Sequence, residues 1–124
     1  MNILEEICYH KKQEIVELKK EKKFNFNTEI NKNKKSISEI LRKNNKNHYN
    51  IITEIKRKSP SAGLIRKDFN LIKIAENYIK AGAVCLSVLT EKNYLGGDVK
   101  FIKKLKENPK IPLLRNDFII DEWQ

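Results

Sequence analysis

A carboxylate and an ammonium group interrupt an apolar segment near the middle of the sequence. In the segment IITEIK, residues 51–56, side chains alternate along a strand, so Glu54 and Lys56 share one face. If that face is directed into a low-dielectric cavity, the two charges stabilise each other and remain available for proton transfer or anion binding. A structural ion pair or a solvated strand end is the alternative that this segment alone leaves open.

Two loops carry further groups that could contact a ligand. The loop RKSPSAG, residues 57–63, offers two cations and two hydroxyls, which suit a phosphate or a carboxylate, although an ordinary surface loop can have the same composition. The loop NYLGG, residues 93–97, offers an aromatic and an aliphatic side chain beside a flexible glycine pair. It could form an adjustable wall of an aromatic pocket, or a plain strand-to-helix turn.

Alternating strands and helices would position these groups. The predicted strands are residues 51–56, 84–90 and 111–120, and the predicted helices between them are 69–81 and 99–107. Gly82 ends the first of these helices, Asp98 caps the second, and Asn108-Pro109 terminates it. This alternation predicts parallel βαβ units.

The carboxyl ends of parallel strands meet at one edge of a sheet, where ligands of such folds bind. Lys56 lies at that end of the first strand, Thr90 and Glu91 at that end of the second, and residues 115–118 near that end of the third. Three parallel strands are too few to close a barrel, so we expect the chain to be the front portion of a larger fold.

The first 50 residues have a different pattern of apolar and polar residues. Residues 3–23 read as an amphipathic helix that begins at Asn2, and a capping-box pattern at 36–39 predicts a second, short helix. The stretches 25–35 and 43–50 read as polar connectors. We therefore predict a helical extension over residues 1–50 and three βα units over residues 51–124.

Composition bounds the class of protein. The 124 residues are 40% hydrophobic and 34% charged, with no apolar run of about 18 residues and no secretory pattern at the start, so a cytoplasmic protein is expected. Cys8 and Cys85 lie far apart and are expected to be reduced, without a disulfide or a metal.

The net charge of +10 raises the question of nucleic-acid binding. Residues 1–50 carry 12 basic and 7 acidic side chains, and residues 51–124 carry 14 and 9, so neither part forms a basic tail. The even distribution disfavours a specific nucleic-acid partner.

Several segments together resemble the indole-3-glycerol phosphate synthase family. They are IITEIKRKSPSAGLI, AGAVCLSVLTEKNYLGGDVKFI and IPLLRNDFIIDEWQ, preceded by ILEEICYHKKQEIVELKK, which is similar to the family's N-terminal helical segment. The resemblance implies an α/β chain that is a partial (β/α)₈ TIM barrel, containing strands 1 to 3 with an N-terminal helical extension. It implies no cofactor, no metal and no membrane partner.

The activity implied by the resemblance is a carbon–carbon lyase reaction of tryptophan biosynthesis. Its substrate is the anthranilate-derived 1-(2-carboxyphenylamino)-1-deoxyribulose 5-phosphate, which undergoes ring closure and decarboxylation. Members of the family can be fused to or associated with other tryptophan-pathway enzymes. Because the remaining units of such a barrel supply further substrate contacts, the chain alone is expected to be inactive.

The resemblance also implies roles for individual residues. Glu54 and Lys56 match catalytic positions on the first strand, Ser59 matches a substrate contact in the first loop, and Phe118 a substrate-binding position. The reaction has an aromatic carbon attack a ketone. A cationic acid must therefore protonate the oxygen, and a base must later remove a proton from the ring.

Two positions depart from the family pattern. Asn116 stands where the family has a lysine that acts as a general acid in ring closure, and losing a positioned acid costs a factor of about 10² to 10⁴ in rate. Lys56 is the remaining candidate for part of that role. Leu95 stands where the family often has a phenylalanine that lines the anthranilate pocket.

Two other functions are compatible with parts of the sequence. A related phosphate-binding barrel, such as phosphoribosylanthranilate isomerase or a histidine-pathway enzyme, is disfavoured by the Glu54 and Lys56 pair and the SPS loop. A non-catalytic basic protein that binds nucleic acid or another partner would show salt-sensitive retention on DNA or RNA.

Overall fold

A three-stranded parallel sheet with helices packed on it lies in the part of the chain between residues 34 and 117. The computed structural model describes residues 1–21, 36–43, 49–107 and 111–124. The elements in these ranges are α1 (Ile3–Glu21), α2 (Ile37–Lys43), β1 (Ile52–Ile55), β2 (Lys58–Ser59), β3 (Gly63–Leu64), α3 (Leu71–Lys80), β4 (Cys85–Leu89), α4 (Val99–Lys106) and β5 (Leu113–Asn116). The predicted α/β class is confirmed. The connector 25–35, most of 43–50 and the Asn108-Pro109 stop lie outside the described residues.

Three of the strands form the parallel sheet, in the order β1-β4-β5. The register aligns Glu54 with Ser87 on the neighbouring strand, and Leu89 with Asn116. The carboxyl ends of β1, β4 and β5 therefore meet at one edge, as the alternation of strands and helices predicts. The third predicted strand, 111–120, is shortened to four residues, and the amide of Thr90 donates to the carbonyl of Asn116 at its end.

Side-chain caps fix the starts of the two helices between these strands. Asn70 accepts a hydrogen bond from the amide of Lys73 at 3.0 Å, so α3 begins at Leu71 instead of the predicted residue 69. Asp98 caps α4 as predicted, by accepting from the amide of Lys100 at 2.8 Å. Gly82 follows α3 with a φ of 96°, a left-handed conformation that favours glycine.

The hydrophobic core lies between this sheet and α3 and α4. Its buried members are Ile55, Leu71, Ala75, Leu86, Val88 and Leu105. Ile55, Leu86 and Val88 come from the strands and are at most 2% exposed. Burying side chains of this size stabilises the fold by roughly 1.5–3 kcal/mol each.

A two-stranded antiparallel hairpin follows β1, where the sequence predicts only a loop. It pairs Lys58 with Leu64 and Ser59 with Gly63. Gly63 has a φ of 64°, which lets the chain reverse within three residues. The amide of Ile65 donates to the carbonyl of Arg57 at 2.9 Å and extends the ladder.

The chain divides into two compact units, residues 1–33 with 118–124 and residues 34–117. In the first unit, Asn2 and Glu5 cap α1 reciprocally, each backbone amide donating to the other side chain at 2.9 Å, and Lys19 pairs with Asp121 at 2.8 Å. The second unit contains the sheet. The division at residue 50 stays a prediction. No helix in the described part of the chain is long and apolar enough to cross a bilayer.

Candidate active site

The Glu54 and Lys56 side chains form an ion pair at the carboxyl end of β1. Lys56 Nζ lies 2.7 Å from Glu54 Oε1, and the two side chains are 32% and 43% exposed respectively. The pair lies on the face of the sheet opposite α3 and α4, since the intervening Ile55 is buried in the core. Both charges are thus open to solvent and to a ligand.

Asn116 joins this pair from the end of β5. Its Nδ2 donates to Glu54 Oε2 at 3.1 Å and to the Ser87 hydroxyl at 3.2 Å. Ser87 lies between the two on β4 and is only 6% exposed. The four side chains therefore form one hydrogen-bonded row, Lys56–Glu54–Asn116–Ser87, across all three parallel strands.

This row combines one carboxylate with three hydrogen-bond donors. Glu54 uses one oxygen for Lys56 and the other for Asn116, which fixes the plane of its carboxylate. An amide donates a hydrogen bond but does not release its proton, so the Lys56 ammonium is the cationic acid among these four side chains. The arrangement suits protonation of an oxygen near Lys56 and acceptance of a proton by Glu54.

Ser87 is the member of the row that sequence reasoning missed. It interrupts the apolar segment VCLSVL, where a polar residue needs a partner once it is buried. That partner is the Asn116 amide on the neighbouring strand, which donates to the Ser87 hydroxyl at 3.2 Å. The signal was present as a lone hydroxyl in an otherwise hydrophobic strand.

A second polar network lies beneath the row at the ends of β4 and β5. Arg115 Nε donates to the hydroxyl of Thr90 at 3.1 Å, and that hydroxyl donates to Asp117 Oδ2 at 2.7 Å. Arg115 also pairs with Asp117 at 3.2 Å, and the Asp117 side chain is fully buried. Because Arg115 and Asp117 flank Asn116 in sequence, this network fixes the backbone that carries the Asn116 amide.

The glycine pair in the loop after β4 is in close contact with neighbouring groups. A Cβ on Gly97 would clash with the carbonyl oxygen of Leu89, so the loop packs directly on the end of the strand. Gly96 has a φ of 62°, and a Cβ there would lie 3.1 Å from Cβ of Lys58. The glycines allow close packing and a turn at this position.

The two cationic side chains of the loop after β1 contact neighbouring groups. The guanidinium of Arg57 lies over the ring of Phe69, 5.9 Å from its centroid, and Lys58 Nζ donates to the carbonyl of Asn93 at 3.4 Å. The Ser59 hydroxyl accepts from the amide of Ala62 at 3.1 Å. Lys58 thereby links the loop after β1 to the loop after β4.

The predicted site residues divide into those that the structure joins and those that it does not. Glu54 is linked directly to Lys56 and to Asn116. Ser59 lies in the hairpin after β1, Leu95 lies in the loop after β4, and both are outside the hydrogen-bonded row. Phe118 follows β5 in the first unit, and its role in substrate binding stays a prediction. In the residues that the structure describes, no cluster of His, Cys, Asp or Glu could hold a metal ion.

Known proteins similar to this chain agree on one family. The family model described as indole-3-glycerol phosphate synthase matches residues 4–124. A protein with that name from Caldanaerobacter subterraneus subsp. tengcongensis is 45% identical over 122 residues, which cover 98% of this chain and 47% of the relative. The protein of the same name from Aliarcobacter butzleri is 38% identical over 128 residues, covering 98% of this chain and 48% of the relative.

A third similar protein, from Neisseria meningitidis serogroup C, has the same name and is 49% identical over 88 residues, which cover 71% of this chain and 34% of the relative. The chain spans about half the length of the first two curated relatives, and the match includes β1, β4 and β5 with the whole row of site side chains. The chain belongs to the indole-3-glycerol phosphate synthase family.

Proposed function

We propose that this chain supplies part of the active site of an indole-3-glycerol phosphate synthase. The reaction is ring closure and decarboxylation of the anthranilate-derived ribulose phosphate, a carbon–carbon lyase step of tryptophan biosynthesis. The observation that carries the proposal is the Lys56–Glu54–Asn116 row at the shared carboxyl edge of three parallel strands. Catalytic groups of (β/α)₈ barrels lie at that edge.

Each charged member of the row has a proposed role. Lys56 protonates the ketone oxygen as the aromatic carbon attacks, because it is the cationic acid on this face. Glu54 holds the Lys56 ammonium at 2.7 Å and accepts a proton as the new ring becomes aromatic. Ser59 and Leu95 are proposed substrate contacts, with Leu95 packing against the aromatic ring.

Asn116 lowers the expected rate without removing the site. Its amide keeps Glu54 in place through the 3.1 Å hydrogen bond, but it supplies neither a proton nor a positive charge. The matched relatives are about twice as long as the matched region, so we assign the activity to a barrel that contains further βα units. We propose that the 124 residues alone do not turn over substrate.

A hybrid barrel tests the proposal. This chain replaces the matched region of the Caldanaerobacter relative, which leaves that protein's remaining units in place. We expect the hybrid to form indole-3-glycerol phosphate slowly, and Asn116→Lys to raise kcat by about 10² to 10⁴, because a positioned acid is restored. Product formation is measured by fluorescence, with the unaltered relative as the positive control.

Two results decide the outcome. Asn116→Gln is the matched control, since it lengthens the side chain without adding a charge, and it should leave kcat low. A folded Asn116→Lys hybrid that forms no product contradicts the proposed function. Salt-sensitive retention of the chain on DNA, in place of turnover by the hybrid, would instead support a basic binding protein.

The same proposal implies a class of substrate, a cellular location and possible partner enzymes. The substrate is a small phosphorylated molecule, and a biosynthetic enzyme of this kind is proposed to act in the cytoplasm. Fusion to or association with other enzymes of the tryptophan pathway is a further proposal, which co-purification from the source cells tests directly.

A further inference from the structure

Glu91 is a carboxylate buried at the carboxyl end of β4, next to the row but outside it. It is only 1% exposed. Its Oε1 accepts from the amide of Asn93 at 2.9 Å, and its Oε2 accepts from the amides of Tyr94 at 2.7 Å and Leu95 at 2.9 Å. One side chain thus binds three successive backbone amides.

Bonds of this kind fix a loop more firmly than neutral ones. A buried carboxylate is costly unless its oxygens are hydrogen-bonded, and bonds from N–H groups to an ionised acceptor are about twice as strong as bonds between neutral groups. The backbone of the same residue closes the loop at its other end, because the carbonyl of Glu91 accepts from the amide of Gly97 at 2.7 Å.

The loop is also held from outside. Gly97 packs on the carbonyl of Leu89, Gly96 packs on Lys58, and Lys58 donates to the carbonyl of Asn93. Leu95 lies between these anchors, and its own amide is one of the three bound to Glu91. The backbone position of Leu95 is therefore set by the Glu91 carboxylate.

We infer that Glu91 is a positioning residue for substrate binding, which acts by holding Leu95 as one wall of the pocket for the substrate's aromatic ring. The inference rests on the proposed function, since it is the aromatic ring of that substrate that Leu95 contacts. Glu91 itself touches no reacting atom, because both its oxygens are occupied by the loop. It governs how well the ring fits, and the Lys56–Glu54 pair governs the chemistry.

The test compares Glu91→Gln with Leu95→Ala in the hybrid that carries Asn116→Lys. Glutamine has the same shape but replaces one acceptor oxygen with an NH₂ group, so at least one loop amide faces a donor. We expect amides 93–95 to exchange about tenfold faster with deuterium, and KM to rise about tenfold while kcat changes less than about twofold. Glu76→Gln, on the exposed side of α3, is the matched control and should change neither.

Leu95→Ala should raise KM without accelerating exchange, because Glu91 binds the backbone of residue 95. In the Leu95→Ala background, Glu91→Gln should add less than about a threefold further rise in KM, since the wall that it positions is already gone. A purely structural role for Glu91 predicts instead that the effects of Glu91→Gln and Leu95→Ala are fully additive. Glu91→Gln would then lower stability, and the balance between its effects on KM and kcat would not change.

Separate results would overturn the inference and the proposed function. Unchanged exchange in Glu91→Gln overturns the positioning of the loop, whether or not the hybrid is active. Faster exchange with an unchanged KM overturns the link to the substrate. A parent hybrid without turnover contradicts the proposed function and removes that link, while the exchange measurement still decides whether Glu91 holds the loop.

Discussion

The two faces of the parallel sheet differ in the exposure of their side chains, although both are formed by alternate residues of the same strands. On the face covered by α3 and α4, Ile55, Leu86 and Val88 are at most 2% exposed and make a continuous apolar core. On the opposite face, Ile52 and Leu114 of the outer strands are 48% and 46% exposed. The first face stabilises the unit, and the second leaves polar groups accessible.

Residues that stabilise the core and residues of the candidate site are direct neighbours in the sequence. Glu54, Ile55 and Lys56 are consecutive, yet the middle residue is in the core and its neighbours form the ion pair. Since side chains in a strand have a period of two, a slip of one residue in register would bury both charges and expose the core. Substitutions on the two faces should therefore affect different measurements.

The largest expected effect is a loss of activity, caused by a substitution on the open face of the sheet. In the hybrid with Asn116→Lys, Glu54→Gln should lower kcat/KM by about 10² to 10⁴, because the proposed base and the partner of Lys56 are lost together. The midpoint of urea unfolding should hardly move, since Glu54 is 43% exposed. Steady-state kinetics and urea titration check both parts.

A Glu54→Gln protein with full activity would contradict the assignment of chemistry to this face. Glu76→Gln is a suitable control, because Glu76 is an exposed residue of α3. It should change neither kcat/KM nor stability.

The next effect is on stability, from the covered face. Leu86→Ala should lower the free energy of unfolding by about 2–5 kcal/mol, since Leu86 is 1% exposed and a cavity replaces its side chain. Urea unfolding of the chain measures the loss. Val99→Ala, at a position 54% exposed on α4, should change it by less than about 0.5 kcal/mol. Equal losses in the two variants would contradict the division between the faces.

The sequence predicted the framework well because its signals are local. Asn2, Gly82 and Asp98 mark helix ends through their own side chains or backbone conformation, and the structure confirms all three. The joining of Glu54 to Asn116 was not predictable in the same way, because it depends on the register between strands that are far apart in the chain. Periodicity gives the face of a residue but not its partner on the next strand.

The misses have the same cause. The hairpin of β2 and β3 depends on how residues 57–65 fold back on themselves, and a short turn-rich segment has no period to detect. The close contacts of the glycines at 96 and 97 were also not predictable, because the sequence does not show the strand end and the Lys58 side chain that they pack against. Long-range packing decided both features.

A smaller effect is expected at the polar network that joins the ends of β4 and β5. Thr90→Val removes the hydroxyl between Arg115 and Asp117 and leaves the buried Asp117 with one bond fewer. We expect a loss of about 1–3 kcal/mol in the free energy of unfolding. In the hybrid, a modest fall in kcat should accompany it, because the Asn116 backbone loosens. An unchanged unfolding midpoint would show that the network contributes nothing to the fold.

The last prediction concerns a thiol on the central strand. Burial raises the pKa of the Cys85 thiol, partly offset by a backbone hydrogen bond at Leu114, while Cys8 is half-buried. At pH 8, Cys8 should react with a maleimide more than about 100-fold faster than Cys85, as peptide mass spectrometry can measure. Comparable rates would show that β4 opens readily.

The same raised pKa has a consequence for stability. Because the folded state favours the neutral thiol of Cys85, its contribution is complete below the unfolded pKa of about 8.5 and is lost as the pH rises through the folded value. A Cys85→Ser variant should therefore lose the part of the alkaline fall in stability that this thiol causes.

The carboxylate of Glu91 bonds to amides, not to side chains, and this has an evolutionary consequence. Every amino acid except proline carries the N–H group that the loop needs at positions 93, 94 and 95. Mutation can therefore exchange the side chains of these three residues while the loop keeps its path. A loop held in this way can therefore change the size of the side chain at position 95 without a new loop having to evolve.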